Sequence, residues 1–131
     1  MKIDHIGIAT NALQDAAKIW LDGLGLEALH SEEVPEQGVR VTMLPIGESK
    51  IELLEPLTEN SPVGKFLEKR GPGIHHIAVA VPDIVKALEN LRNKGARLID
   101  EKPRRGAGGC LVAFVHPSAA NGVLLELVQH Q

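Results

Sequence analysis

The stretch that decides the fold is Gly73-Ile-His-His-Ile-Ala-Val-Ala-Val-Pro-Asp83. Its apolar residues alternate as in a half-buried strand, and the aspartate at its end is typical of a residue that caps a following helix. The chain opens with a similar stretch, Lys2-Ile-Asp-His-Ile-Gly-Ile-Ala-Thr-Asn11. In both copies a histidine precedes an alternating apolar run, and a capping residue then follows. The pattern predicts that the chain contains one structural module twice.

A glutamate among apolar residues marks a late strand in each copy. Glu52 lies in Ile-Glu-Leu-Leu and Glu126 lies in Leu-Leu-Glu-Leu, at nearly equal intervals after His5 and His76. A carboxylate that is buried in a strand without a partner is costly, and coordination of a metal would remove that cost. Two imidazoles and two carboxylates suit one divalent first-row ion, with positions left for water or substrate. We therefore predict a metal site shared by the two copies.

Other residues compete for these roles. Glu55 is a second carboxylate close to Glu52 and could take its place as a ligand. In that case Glu52 would be a solvated glutamate on an edge strand. His75 precedes His76 and is interpreted as structural, as most single histidines on strands are. Three histidines have no counterpart in the other copy and are interpreted as ordinary surface residues: His30, His116 and His130.

The rest of the chain gives each copy the order β-α-β-β-β. Strands are predicted at 3–9, 26–33, 39–43 and 50–55 in the first copy, and at 74–81, 96–101, 110–115 and 123–129 in the second. Helices are predicted after the caps Asn11 and Asp83, and Gly25 and Gly95 are predicted to end them. The glycine-rich residues 104–109 are predicted to form a flexible loop.

These elements predict an α+β fold of two tandem βαβββ modules, which form a cupped mixed sheet with helices on its outer face. One module is too small to bury its sheet alone, so the chain is expected to be a single domain, 1–131. The first module covers about 1–56, the second about 73–131, and a linker at about 57–72 contains a short helix after Ser61-Pro62.

Composition excludes several classes of protein. The chain has 131 residues, 44% of them hydrophobic and 24% charged, and no apolar run approaches the ~20 residues of a membrane-spanning helix. A net charge of −3 with one Trp, two Phe and no Tyr argues against nucleic-acid binding. Its one cysteine, Cys110, excludes an internal disulfide and a cysteine-cluster zinc site. No signal segment opens the chain, so a cytoplasmic location is expected.

Six segments carry a family resemblance: Asp4-His-Ile-Gly-Ile8, Pro35-Glu-Gln-Gly-Val39, Ile51-Glu-Leu-Leu-Glu-Pro56, Ser61-Pro62 through Phe66-Leu67, Gly73-Ile-His-His-Ile-Ala-Val79, and His116-Pro117 running to Gly122-Val-Leu-Leu-Glu-Leu127. They resemble the vicinal oxygen chelate (glyoxalase-like) superfamily, whose members pair two such modules around a metal. The doubled histidine, the Glu-Leu-Leu-Glu-Pro segment and the last segment are similar to the methylmalonyl-CoA epimerases in particular. The resemblance implies the metal ligands His5, Glu52, His76 and Glu126, which the duplication also selects.

An activity follows from this resemblance. It implies interconversion of (2R)- and (2S)-methylmalonyl-CoA, a step of propionate metabolism, by proton abstraction at C2 through an enolate. Glu126 is implied as both metal ligand and catalytic base. Co²⁺ is expected as the metal, with Mn²⁺, Ni²⁺, Zn²⁺ or Mg²⁺ as alternatives. Some family members carry a glutamate in the strand after Gln-Gly-Val, but Val39-Arg-Val-Thr-Met43 has none, so another group or a water takes the second proton-transfer role.

The expected partner is a small acyl-CoA molecule, and the expected assembly is a homodimer. Arg104 and Arg105, supported by Lys102, are candidates to bind the phosphates of coenzyme A; the alternative is a solvated loop whose charge serves solubility. No nucleic-acid or membrane partner is expected.

Four other interpretations compete with the epimerase interpretation. Glyoxalase I (lactoylglutathione lyase) uses the same two-His, two-Glu set and is the main alternative. Thiol transferases of the fosfomycin type and extradiol dioxygenases use three protein ligands, so an available fourth ligand argues against them. A metal-free binding module would line its cleft with aromatic residues, which are scarce in this chain.

Overall fold

A computed structural model describes all 131 residues and shows an α+β fold of eight strands and three α-helices. By their contacts the residues form two compact units. The first unit is His5–His75, and the second consists of Met1–Asp4 and His76–Gln131. The chain order of the elements confirms the predicted repeat, because each copy runs β-α-β-β-β.

The first unit contains a four-stranded mixed sheet in the order β2-β3-β4-β1. Its elements are β1 (Lys2–Ala9, of which residues 2–4 fall in the second unit), α1 (Leu13–Lys18), β2 (His30–Val34), β3 (Val39–Ile46), β4 (Ser49–Pro56) and α2 (Pro62–Arg70). Strand β1 pairs with β4 in parallel, and the other neighbours are antiparallel. The side-chain hydroxyl of Ser61 accepts the Gly64 N–H at 3.2 Å, so the predicted cap and first-position proline of α2 are confirmed.

Helix α1 begins differently from the prediction. Asn11 does not cap it: Ala12 holds the cap position without a side-chain bond, and the carboxylate Oε2 of Glu55 accepts the Leu13 N–H at 2.8 Å. A negative side chain suits this position because the first N–H groups of a helix have no partner within the helix. Glu55 also accepts a hydrogen bond from Arg40 at 2.8 Å.

The Arg40 guanidinium links two carboxylates across the sheet. It donates to Glu33 and to Glu55, each at 2.8 Å. The pKa of Arg40 is raised above its ordinary value, first by the hydrogen bond to Glu33 and then by Glu55. Glu55 is therefore fully engaged in the structure of this unit.

We expect Glu55→Ala to destabilise the protein by about 1–2 kcal/mol, because it removes a helix cap together with a charged hydrogen bond. Chemical denaturation followed by circular dichroism measures the effect. Glu68→Ala is the matched control, since Glu68 is an exposed glutamate of α2 and its loss is expected to change stability by less than about 0.5 kcal/mol. Equal effects of the two substitutions would contradict the capping role.

Strand β2 is shorter than predicted. It begins at His30, and residues 26–29 are not part of it. The N–H of Leu26 donates to the carbonyl of Trp20 at 3.0 Å, which ties residue 26 to the end of the helical segment. That segment continues from α1 as a π-helical turn, Ile19–Gly23, and Gly25 takes a positive φ of 75° beyond it.

The second unit repeats the arrangement, with its strands in the order β5-β8-β7-β6. Its elements are β5 (Gly73–Ala80, of which residues 73–75 fall in the first unit), α3 (Ile84–Asn93), β6 (Arg104–Arg105), β7 (Leu111–Val115) and β8 (Leu125–Gln129). Strand β5 pairs with β8 in parallel, and β6 and β7 are antiparallel to their neighbours. Asp83 caps α3 as predicted, and the Gln129 side chain accepts the Ile84 N–H at 2.8 Å. The side chain of Gln129 therefore accepts the N–H of the first residue of α3, as the side chain of Glu55 does at α1.

The strand predicted at 96–101 is wrong. Only an isolated bridge from Leu98 to Val115 forms there. The Asp100 side chain accepts the Phe114 N–H at 2.8 Å, so the backbone group that a regular ladder would need is already bonded. The second strand of this copy is instead the short β6, which takes the first two residues of the predicted flexible loop. The rest of that loop, Ala107–Gly109, forms a 3₁₀ turn.

In each unit a helix covers one face of the sheet and leaves the other face for the predicted ligands. Leu13 and Ala17 of α1 pack on Leu44, Ile51 and Leu53. Likewise Ile84 and Leu88 of α3 pack on Ala113, Val115 and Leu127. Successive residues of a strand point to opposite faces, so Glu52 and Glu126 face away from the helices. None of the helices has the length and apolar character needed to cross a membrane.

Candidate metal centre

The first predicted pair lies on the two parallel strands of the first unit. Glu52 on β4 is opposite Gly7 on β1, two residues beyond His5. Glycine leaves room for the side chains on either side of it, and His5 Nε2 lies 3.4 Å from Glu52 Oε1. Both side chains are almost fully buried, with His5 3% and Glu52 4% exposed.

The second pair has the same construction in the second unit. Glu126 on β8 is opposite Ala78 on β5, again two residues beyond the histidine. His76 Nε2 lies 2.9 Å from Glu126 Oε1, and both side chains are buried. In both units the glutamate is therefore opposite a small residue that lies two positions after the histidine. The repeat seen in the sequence is thus also a repeat of strand register.

The spacing of each pair fits two ligands of one ion. Metal bonds from imidazole nitrogen and carboxylate oxygen are about 2.0–2.2 Å long, so two ligand atoms of one ion are separated by about 3.0 Å at a right angle and about 3.4 Å at the tetrahedral angle. The observed separations are 2.9 Å and 3.4 Å. Each of the four residues offers one ligand atom. The buried nitrogen and oxygen donors suit a divalent first-row ion.

Aromatic packing holds the second pair in place. The ring of Phe114 stands edge-on to His76, with centroids 5.7 Å apart and an angle of 88° between the planes. Phe114 is also the residue opposite Glu126 on β7, so one side chain supports both members of the pair. The guanidinium of Arg104 lies 5.7 Å above the Phe114 ring. These contacts restrict the rotation of His76 and Glu126.

Known proteins are similar to this chain over nearly its whole length. Residues 4–114 match the sequence pattern of the glyoxalase/bleomycin resistance protein/dioxygenase superfamily. The ethylmalonyl-CoA/methylmalonyl-CoA epimerase of Cereibacter sphaeroides is 42% identical over 98% of this chain and 97% of that protein. A solved methylmalonyl-CoA epimerase in complex with methylmalonyl-CoA and NH4+ is 43% identical, with a TM-score of 0.95 over 98% of this chain and 93% of that one. The chain belongs to the methylmalonyl-CoA epimerase family.

Glyoxalase I-type enzymes are more distant from this epimerase-family chain. The probable lactoylglutathione lyase of Synechocystis is 26% identical over 95% of the chain and 92% of its own length. The family that the sequence motifs indicated is confirmed, and the main alternative lies further away within the same superfamily.

Residues that the sequence analysis set aside have structural roles in this epimerase-family protein. Glu55 caps α1 on the helix-covered side, so it is not placed beside His5. His75 packs edge-on against Phe66, with ring centroids 5.0 Å apart, as expected for a structural histidine. His116 accepts the N–H of Ser118 at 3.0 Å within its turn.

His130 lies at the surface as predicted, but it makes two contacts that the sequence did not predict. His130, interpreted from sequence as an ordinary surface residue, lies 2.5 Å from the Asp4 carboxylate through Nε2 and 3.2 Å from Cys110 Sγ through Nδ1. Because the three residues are far apart along the chain, no local motif marks them. The one available signal was Asp4 itself, a carboxylate on the strand face that carries Ile6 and Ile8, where a buried charge needs a partner.

Proposed function

We propose that this protein interconverts (2R)- and (2S)-methylmalonyl-CoA. The supporting observation is its 43% identity, over nearly its whole length, to a solved epimerase that binds methylmalonyl-CoA. The two buried His–Glu pairs provide a matching chemical apparatus within this chain. The reaction moves one proton on and off C2, between a carboxylate and a thioester, and does not change the bonds between heavy atoms.

The two pairs together hold one divalent ion, Co²⁺ in the first place, with Mn²⁺, Ni²⁺, Zn²⁺ and Mg²⁺ as alternatives. The ligands are His5, Glu52, His76 and Glu126. The bound ion supplies Lewis-acid stabilisation of negative charge on the thioester and carboxylate oxygens of the substrate. Support for this site comes from the donor chemistry, the burial of all four side chains and the spacing within each pair.

Glu126 is the residue that transfers the C2 proton. Its carboxylate takes the proton from one face of the carbon, and the second proton-transfer group delivers a proton to the other. The contact of Glu126 with His76 and the packing of Phe114 fix the direction of the carboxylate. A positioned base needs little rearrangement when the proton leaves, which lowers the barrier.

The coenzyme A phosphates bind at β6 and the residues before it. Arg105 is exposed there, as is Lys102. Arg104 is held partly by Asp100, at 3.4 Å, and by the Phe114 ring. Arg105 is therefore the cation most available to a phosphate, with Lys102 and Arg104 in support.

Arg105→Ala is expected to raise KM for methylmalonyl-CoA about tenfold and to leave kcat nearly unchanged, because a phosphate contact far from C2 contributes equally to substrate and transition-state binding. Steady-state kinetics with coupled detection of one epimer give both constants. Lys86→Ala, at an exposed cation of α3, is the matched control and is expected to change neither. A fall in kcat without a change in KM would contradict the phosphate-binding role.

Proton NMR in deuterated water tests the activity directly. The protein loaded with Co²⁺ is incubated with one epimer of methylmalonyl-CoA, and the C2 proton signal is followed. Its disappearance well above the uncatalysed rate, and its persistence when a chelator is added, are the expected results. Turnover of the methylglyoxal–glutathione adduct without exchange at C2 would instead identify a glyoxalase. Inactivity on both substrates, with no metal bound, would leave a binding module.

The homodimer and the cytoplasmic location are further parts of this proposal. Sedimentation equilibrium of the purified protein measures the assembly, and a mass equal to that of one 14.1 kDa chain would contradict the dimer.

A further inference from the structure

Outside the proposed metal centre, the second unit contains one cluster of reactive side chains, which come from its amino-terminal and carboxyl-terminal segments. His130 follows β8, Asp4 lies in β1, and Cys110 precedes β7. The imidazole bridges the other two, with Nε2 at 2.5 Å from Asp4 Oδ1 and Nδ1 at 3.2 Å from Cys110 Sγ. We call this cluster the Asp4–His130–Cys110 triad. Asp4 is 2% exposed, whereas the side chain of His130 is 48% exposed and Cys110 is partly exposed.

The contacts show which ring nitrogen faces which partner: Nε2 faces Asp4 and Nδ1 faces Cys110. A carboxylate in its ionised form only accepts hydrogen bonds, and Nε2 of His130 is then the nitrogen that donates to it. In the neutral ring Nδ1 then presents its lone pair to the thiol of Cys110. Transfer of the thiol proton to Nδ1 gives a thiolate beside an imidazolium, which the Asp4 carboxylate stabilises from the other side. Since both ring nitrogens are used in this way, the geometry favours an activated thiol over a metal site.

The environment allows a small molecule to reach this thiol. Cys110 lies at the edge of the apolar group Ala78, Val112 and Val128, and its carbonyl accepts the Gly106 N–H at 2.9 Å. Charged side chains on the adjoining elements are Arg104 and Arg105 on β6 and Lys2 on the Asp4 face of β1. The Asp100 carboxylate lies 3.4 Å from Arg104 Nε and offsets its charge, so the activation of the thiol is assigned to His130.

We propose that Cys110 is a modification site: a nucleophilic thiol, activated by His130 and oriented by Asp4, that forms mixed disulfides with small-molecule disulfides. The Cys110 thiolate attacks one sulfur of the disulfide, and a new bond forms between Cys110 Sγ and that sulfur. The original sulfur–sulfur bond breaks, and the departing thiolate takes the proton held on His130 Nδ1. The disulfide is the oxidant, and one thiol is released for each protein modified. This chemistry is separate from the epimerase function and does not depend on it.

The test follows the reaction of the full-length protein with an aromatic disulfide that releases a coloured thiolate. Because the chain has a single cysteine, the released colour reports Cys110 alone. Rates are measured from about pH 5 to pH 9 in the unmodified protein, in His130→Asn and in the matched control His116→Asn, which removes a histidine of a different loop. Cys110→Ser gives the background, and mass spectrometry confirms one adduct per chain.

In the unmodified protein and in His116→Asn, we expect the rate to reach half its maximum at a pH well below the free-thiol pKa of about 8.5. In His130→Asn we expect that midpoint to lie close to the free-thiol value. At pH 6 the His130 variant is expected to react about fivefold more slowly. The effect on the rate is smaller than the effect on the thiolate fraction because a more acidic thiol is intrinsically less nucleophilic. The unmodified protein's profile alone decides the question if the variant does not fold. A midpoint near the free-thiol value, equal profiles in the histidine variants, or no reaction at all would overturn the proposal.

Discussion

Glu126→Gln is expected to slow proton exchange at C2 of methylmalonyl-CoA by about 10³-fold, within the range that a positioned acid–base group contributes. The amide keeps the size of the side chain and an oxygen for the metal, but it does not take up a proton at neutral pH. The buried contact with His76 at 2.9 Å and the Phe114 ring against that histidine hold the Glu126 side chain in one position, as the proposed role of base requires. NMR in deuterated water measures the exchange rate.

The repeat supplies a matched control for this substitution. Glu52 has the same register, burial and histidine contact in the first unit as Glu126 has in the second. The amide of glutamine keeps an oxygen that can bind a metal, so Glu52→Gln is expected to keep metal binding and to lower the rate by no more than about tenfold. If the two variants lost activity equally, Glu126 would be acting as a ligand only, and the proton transfer would belong to another group.

His76→Ala is expected to weaken the binding of Co²⁺ by at least about 100-fold. Loss of a residue that merely orients a ligand already costs 10–100-fold in affinity, so loss of the ligand itself costs at least as much. His75→Ala is the matched control because the neighbouring histidine packs against Phe66 and points away from Glu126, as alternate residues of a strand do. The affinity of the His75→Ala variant for Co²⁺ is expected to stay within about threefold of that of the unmodified protein. That change is well below the loss of about 10–100-fold that follows removal of a residue that orients a ligand.

Equilibrium dialysis with metal analysis by mass spectrometry measures both affinities. Thermal unfolding of the metal-free proteins accompanies the experiment, since His76→Ala leaves a space beside the Phe114 ring and lowers stability for reasons unrelated to metal. A variant that is folded and still binds one Co²⁺ tightly would remove His76 from the ligand set. Loss of binding in His75→Ala alone would assign the role to the other member of the doublet.

The sequence predicted the two His–Glu pairs because their signal is periodic and repeated, and it predicted the family because its motifs resemble those of known proteins. A histidine before an alternating run, and a glutamate among apolar residues at a similar distance, are local patterns that occur twice. Strand alternation then places Ile51 and Leu53 under the helix and leaves Glu52 on the other face. The same reasoning places Glu126 on the face away from its helix. The sequence did not predict which strands are neighbours, and that pairing brings each glutamate beside its histidine.

The failures have a common physical origin. Asn11 is a residue that favours helix caps, but the Leu13 N–H is bonded to Glu55, which reaches it from a strand far along the chain. Residues 96–101 have the composition of a strand, but Asp100 uses its side chain on the Phe114 N–H and ends the ladder. In both places a hydrogen bond from a side chain that is distant in sequence, about 1 kcal/mol in strength, satisfies the backbone group that the local prediction had assigned to another partner.

By itself, the sequence determined the repeated β-α-β-β-β order and the choice of His5, Glu52, His76 and Glu126 through patterns within short segments, and it indicated the family through motifs that resemble those of known proteins. The tertiary structure alone decided the 2.9 Å and 3.4 Å separations within the pairs, because strand register sets them. It also decided the Asp4–His130–Cys110 triad. These three residues meet only because β1, β7 and β8 bring distant parts of the chain together, and no short-range pattern encodes such a contact.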